Sequence, residues 1–243
     1  MIPKKEILGV GIHTLHMEEA VDRAADFLLK SDRCREIATA NPEMIMMAQN
    51  DPSLAHALRE ADLVVPDGVG AVWALNRQYG LAQTRVTGFD LTQNILALSA
   101  EKGYRVFFFG SAPGVAMTAK ENAEAKYPGL TVCGVRDGFF AESEEEEIVR
   151  MINEAKADFV LVALGVPKQE NWIIRHKDKL TSSLIIGVGG TLDVMAGVVP
   201  RAPKWMQEAK LEWLFRLLRQ PKRFLRMLAL PRFVLAVLCA KKR

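Results

Sequence analysis

Cysteine is scarce in this chain. Cys34, Cys133 and Cys239 are its only three, with no Cys-x-x-Cys pair and no Cys/His ladder. That count argues against a disulfide framework and against a structural zinc site, so a reducing compartment is the expected setting. No apolar core of signal-peptide length precedes Glu18 and Glu19, so export is not expected. Long hydrophobic runs are missing as well. In the C-terminal segment the longest charge-free stretch, Phe233 to Ala240, is far short of the ~20 residues that a bilayer crossing needs. Low-complexity tracts and sequence repeats are absent, and with 49% apolar and 25% charged residues over 243 positions a disordered or fibrous chain is excluded.

What is present is unevenly distributed. The formal net charge is only +3, yet from Arg201 onward twelve Lys or Arg face two Glu, a net of +10 that leaves −7 for residues 1–200. An acidic body with a basic tail calls for an anionic partner for the tail, either a membrane surface or nucleic acid.

Up to residue 200, short β-branched or aromatic runs alternate with amphipathic stretches. The strands expected are 36–40, 62–65, 105–109, 131–135, 159–163 and 184–188, with another near Ile7 to Val10. The helices expected are 17–30, 42–50, 69–79, 91–102, 114–126, 144–156 and 168–176. Strand then helix, repeated, predicts an α/β fold, a Rossmann-like and mostly parallel sheet with helices on both faces. Ligands bind outside the carboxyl ends of such strands. The boundary is expected near Pro200 and Pro203. It gives an α/β core over 1–197 and a basic amphipathic C-terminal appendage over 198–243 that associates with membranes.

The predicted strand ends are rich in Gly, Asn, Asp and Pro. Gly110 and Ser111, in Gly-Ser-Ala-Pro-Gly, open a helix whose amides can hold a phosphate, though small residues at such a turn are as often only steric. Gly189 and Gly190 form a second glycine turn, with Asp193 placed to accept hydrogen bonds from a base or sugar, or simply a tight turn. Asp67 sits at an apolar strand end that suits a general base, although a cap for the helix that follows is the commoner role of an Asp in that position. Thr39 and Asn41 offer a hydroxyl and an amide to a sugar, and Asn41 can also cap a helix. Gln169 opens a helix near a further strand end, as a substrate contact or as an ordinary helix-start residue. His13, His16, His56 and His176 form no metal-ligand set, and without any Asp-x-Asp no metal or other cofactor is expected. In the tail, Trp205, Trp213, Phe215 and Phe224 interleave with arginine and lysine, the pattern of an interfacial helix on anionic lipid or of a helix packed on the body.

These stretches taken in order are TANPEM (39–44), DLVVPDGVGAVW (62–73), RVTGFDL (85–91), FFFGSAPG (107–114), LVALGVPKQENWI (161–173), GVGGTLDVMAG (187–197) and the tail opening RAPKWMQEAKLEWLFRLLRQPKRFLRM (201–227). Together they resemble the WecG/TagA/CpsF glycosyltransferases, most closely the TagA branch. The resemblance implies transfer of N-acetylmannosamine from a UDP-sugar donor to a polyprenyl-diphosphate-linked N-acetylglucosamine acceptor, with a β1,4 linkage, at the start of wall teichoic acid linkage-unit synthesis. It implies Asp67 as base, Thr39, Asn41 and Gln169 beside it, and Arg85 and Asp90 among the substrate-binding residues. It also suggests Arg216, Arg223 or Arg226 of the tail as the cation facing the departing diphosphate. The expected location is the inner face of the cell membrane, as a cytoplasmic, peripheral protein. Three other readings compete. A dehydrogenase would need the GxGxxG that GSAPG lacks, and a nucleic-acid binder would not need so many tail aromatics. The third is a non-catalytic nucleotide-sugar sensor. The WecG-type uronic acid donor and a homo-oligomer remain open.

Overall fold

The computed structural model describes residues 2–209, 211–219 and 228–240. Six strands form one sheet: β3 (Arg35–Ala40), β4 (Leu63–Pro66), β5 (Arg105–Gly110), β6 (Thr131–Arg136), β7 (Phe159–Ala163) and β8 (Leu184–Gly187). Their order is β4-β3-β8-β7-β5-β6, and every pairing is parallel. From β3 the chain steps to the β4 edge, and later elements fill the other side, so the direction of winding reverses beside β3 and β8. That reversal leaves a crevice at the carboxyl ends.

Period-two alternation sorts the side chains between the two faces. Val106 and Phe108 of β5 join one apolar layer, whereas Phe107 and Phe109 join another. The first layer is covered by α1 (Met17–Lys30), α5 (Gly88–Lys102), α6 (Val115–Lys126) and the short α9 (Thr191–Met195). The opposite face carries α2 (Pro42–Ala48), α3 (Pro52–Glu60) and α4 (Val69–Tyr79) over β3 and β4, and α7 (Glu145–Glu154) and α8 (Lys168–His176) over β5 and β7. Of the tail, α10 (Lys204–Glu208), α11 (Glu212–Arg219) and α12 (Ala229–Cys239) are described. Phe233 and Val237 of α12 are buried in the same cluster as α2 and α4, so this helix is docked on the body.

Two local readings change. The expected strand near Ile7 to Val10 is instead a hairpin, β1 (Lys4–Ile7) antiparallel to β2 (Val10–His13), which forms a separate two-stranded sheet. Leu8 and Gly9 both have positive φ, 47° and 78°, which marks a two-residue turn whose twist suits a hairpin. Helix α3 was also not among the expected helices, although Asp51 caps it by accepting from the Ser53 and Leu54 amides and Pro52 starts it.

On β3 a carboxylate is buried within the fold. Glu36 is 1% exposed and lies 3.2 Å from the Lys177 ammonium, which also donates to the Glu60 carbonyl at 2.9 Å. Burial pushes the Glu36 carboxyl from 4.5 up to about 7, with the nearby lysine opposing the rise. Between those values the folded protein keeps a proton that the unfolded chain has lost, so this group lowers stability as pH rises from about 4.5 to 7. Lys177→Met removes the charge that lets Glu36 ionise, so the carboxyl keeps its proton to higher pH and the variant is expected to lose about 2 kcal/mol more stability at pH 8.5 than at pH 5. Urea unfolding at the two pH values checks this, and an equal loss at both would contradict it.

Candidate active site

Two clefts open at the carboxyl ends of the strands, and Asp67 lines both. The first, of about 330 Å³, is polar. The ends of β3, β4, β5, β7 and β8 contribute Thr39, Asp67, Ser111, Gly165, Gly189, Gly190, Thr191 and Asp193. The second, of about 400 Å³, is mostly apolar. It lies between the starts of α2 and α4 and the tail helices, and its walls include Asn41, Pro42, Val69, Arg85, Trp213, Leu217, Leu230, Phe233 and Val234. Phe89 and Glu212 also face both spaces. A third, larger hollow of about 1190 Å³ lies beyond Ser111, among Phe139, Phe140, Lys168 and Trp172.

The local sequence explains why the main chain forms so much of the polar wall. Gly110 has φ +124°, and a Cβ there would stand 2.4 Å from the Ala163 backbone, so only glycine lets β5 turn out beside β7. Ser111 follows with φ 60° and lies 3.5 Å from Asp193 across the cleft. Gly110 itself is behind the lining, whereas Ser111, Gly189, Gly190 and Asp193 are in it.

Asp67 follows β4 directly. Its backbone N–H donates to the Ala40 carbonyl at 2.9 Å, and the Gly88 N–H points at its carboxylate from 3.4 Å. The half-buried carboxylate thus borders both clefts without acting as the cap of α4, whose N-cap position is Gly68, with no side-chain cap. Thr39 is 9% exposed in the polar cleft. Asn41 does cap α2, its Oδ1 accepting from the Met44 N–H at 3.0 Å, while the residue also lines the apolar cleft.

Gln169 is placed differently. It is 2% exposed and does not line either cleft. Its Oε1 accepts from the N–H groups of Gly165, at 3.2 Å, and Gly189, at 3.0 Å, while its Nε2 donates to Glu170 at 2.8 Å. One side chain therefore ties the loops after β7 and β8 together. Glu170 is buried too, and burial raises its carboxyl to about 6.

The tail closes both clefts. Arg85 pairs with Glu212 of α11 at 3.3 Å, and Asp90 pairs with Arg201 at 2.8 Å while accepting from the Thr87 hydroxyl at 2.6 Å. Glu212, Phe215 and Arg219 line the polar cleft, and Glu212, Trp213 and Leu217 the apolar one. Arg216 is on α11, but its side chain is outside the described residues, as are Arg223 and Arg226 entirely. Sequence reasoning missed Phe89, Arg201, Glu212 and Arg219 as lining residues. Glu212 carried a faint signal, being one of only two acids in the tail.

The family model described as the glycosyl transferase WecG/TagA/CpsF family matches residues 5–243. The chain belongs to that family. Among its relatives are three proteins named N-acetylglucosaminyldiphosphoundecaprenol N-acetyl-beta-D-mannosaminyltransferase. The one from Bacillus spizizenii strain W23 is 37% identical over 83% of this chain and 78% of its own length. That of Bacillus subtilis strain 168 is 33% identical over 85% and 80%. The Staphylococcus aureus strain MW2 protein is 30% identical over 99% and 94%. The family match thus includes the tail segments that wall the clefts.

Gln169→Leu keeps most of the volume but leaves the Gly165 and Gly189 amides without their acceptor. The expected loss is about 1–3 kcal/mol for each orphaned donor, read by denaturant unfolding. Unchanged stability would mean that those amides find other partners.

Proposed function

We propose that this family member is an inverting glycosyltransferase that moves N-acetylmannosamine from its UDP donor to N-acetylglucosaminyl-diphospho-undecaprenol, making a β1,4 linkage in wall teichoic acid linkage-unit synthesis. The observation that carries the proposal is Asp67, a carboxylate bordering a polar cleft on one side and an apolar cleft on the other. A nucleotide sugar suits the first, with its glycine walls, Ser111 and Asp193. A sugar on a polyprenyl carrier suits the second. The relatives' names support an acceptor of this kind.

In this reading Asp67 accepts the proton of the acceptor hydroxyl as that oxygen bonds to the anomeric carbon. The bond from that carbon to the diphosphate breaks, and UDP leaves with the electron pair. Thr39 and Asn41 flank the sugars from β3 and the start of α2. Gln169 acts from behind, by holding the Gly165 and Gly189 loops. Tail arginines, Arg216, Arg223 or Arg226, approach the diphosphate as the tail settles on the membrane.

The tail's exposed apolar side chains support a peripheral position on an anionic membrane surface, at the inner face. Trp205 is 63% exposed, Leu218 68% and Leu235 62%, beside a strong excess of basic charge. Among the described residues no helix is long and apolar enough to cross a membrane.

The test is UDP release from UDP-N-acetylmannosamine in the presence of the lipid-linked acceptor. Asp67→Asn is expected to lower turnover about 10²- to 10⁴-fold while nucleotide binding stays within a few-fold. Near-wild-type turnover would remove Asp67 from the role of base, and no release by the wild type would leave a sensor.

Binding to anionic vesicles should weaken with added salt. At least one of Arg216→Ala, Arg223→Ala and Arg226→Ala should lose turnover far more than vesicle binding. Losses in strict proportion in all three would make the tail an anchor only.

A further inference from the structure

The polar cleft is unfavourable for a diphosphate unless specific cations offset its acids. Asp67, Asp193 and Glu212 all line it, and a nucleoside diphosphate brings further negative charge. Among the described lining residues the cations are Arg201 and Arg219. Arg85 lines the other cleft and is engaged by Glu212.

Arg201 and Arg219 are held very differently. The Arg201 guanidinium is 4.4 Å from the centroid of the Phe89 ring and bonded through Nη2 to Asp90, which the Thr87 hydroxyl steadies in turn. Three residues at the start of α5 thus orient one edge and one face of the fork. The side chain keeps 27% of its surface exposed, and its Nε–H is buried without an acceptor. A guanidinium has five donors in a fixed plane, so Asp90 leaves some of them for a second anion. Unpaired buried donors are rare enough in folded proteins to point to a functional group. Arg219, by contrast, is exposed and lies 5.5 Å from the Phe215 ring, with no carboxylate partner among the described residues. Ordering it on a ligand would cost side-chain entropy that Arg201 has already lost in the folded state.

We propose that Arg201 is a further catalytic residue, the pre-oriented cation that binds the β-phosphate of the donor and meets the charge growing there as the bond to the sugar breaks. This rests on the nucleotide-sugar reading above. It is distinct from the part given to Arg216, Arg223 and Arg226, because Arg201 is held by Phe89 and Asp90 of the body. A group already oriented needs no rearrangement as the leaving charge develops.

The test compares UMP and UDP binding to the full-length chain by calorimetry, so that the second phosphate is read separately from the nucleoside. The wild type should bind UDP more tightly than UMP. Arg201→Ala should shrink that gap at least tenfold, with UMP affinity within twofold and turnover down at least a hundredfold. Arg201→Lys, which keeps the charge but loses the planar fork, should fall between. Arg219→Ala should leave the gap nearly unchanged. Where Arg201→Ala lowers the thermal midpoint too far, Arg201→Gln takes its place, since it can still donate to Asp90 and lacks the charge. An unchanged gap in the Arg201 variants, an equal loss of UMP and UDP, or a larger effect from Arg219→Ala would overturn the proposal. Should the wild type bind neither nucleotide, the nucleotide-sugar reading itself fails and takes this proposal with it.

Discussion

The close approach of β5 to β7 at their carboxyl ends is the constraint around which the site is arranged. Gly110 passes so near Ala163 that a side chain is impossible, and the chain continues by donating the Ser111 N–H to the Ala163 carbonyl at 2.8 Å. The Val188 N–H then bonds the Val162 carbonyl at 2.9 Å, bringing the β8 loop to the same rim. Parallel strands all end on one side, so these loops crowd together and one buried side chain, Gln169, can bond two of them at once. A pre-formed polar wall results, made largely of main chain.

The opposite wall belongs to the tail, and its attachment combines two kinds of force. Phe233 and Val237 bury apolar surface against α2 and α4, which is the non-directional part. Direction comes from the pairs Arg85 with Glu212 and Arg201 with Asp90. Exposed ion pairs contribute little stability, but partly buried ones fix where two surfaces meet. The acids and bases that divide the sequence so unevenly meet here, and the basic excess left on the tail remains available to an anionic membrane in the proposed function.

Asp67 shows how the neighbourhood changes the meaning of a residue. A carboxylate after a strand and before a helix is most often a cap, yet Gly68 holds the N-cap position of α4 and leaves Asp67 at the border of the two clefts. Asn41 shows the reverse, since it caps α2 as its sequence position suggests and also lines the apolar cleft. The two roles are compatible because a cap uses only the amide oxygen.

The amino-acid sequence by itself determined the six strands of the sheet and most of its helices, because period-two apolar runs and Gly, Asn, Asp or Pro punctuation are local signals. It also determined the family, since the strand-end motifs occur in order along the chain. Leu8-Gly9 was misread because a two-residue turn inside an apolar run looks like continuing strand. Three features needed the tertiary structure: the pairing of Arg201 with Asp90, the bond from Gln169 to two loops, and the closing of both clefts by α11. Arg201 and Asp90 are 111 residues apart, Gln169 and Gly189 are 20 apart, and Arg85 and Glu212 of α11 are 127 apart. Contacts across such distances depend on how helices and strands pack, which no local pattern encodes.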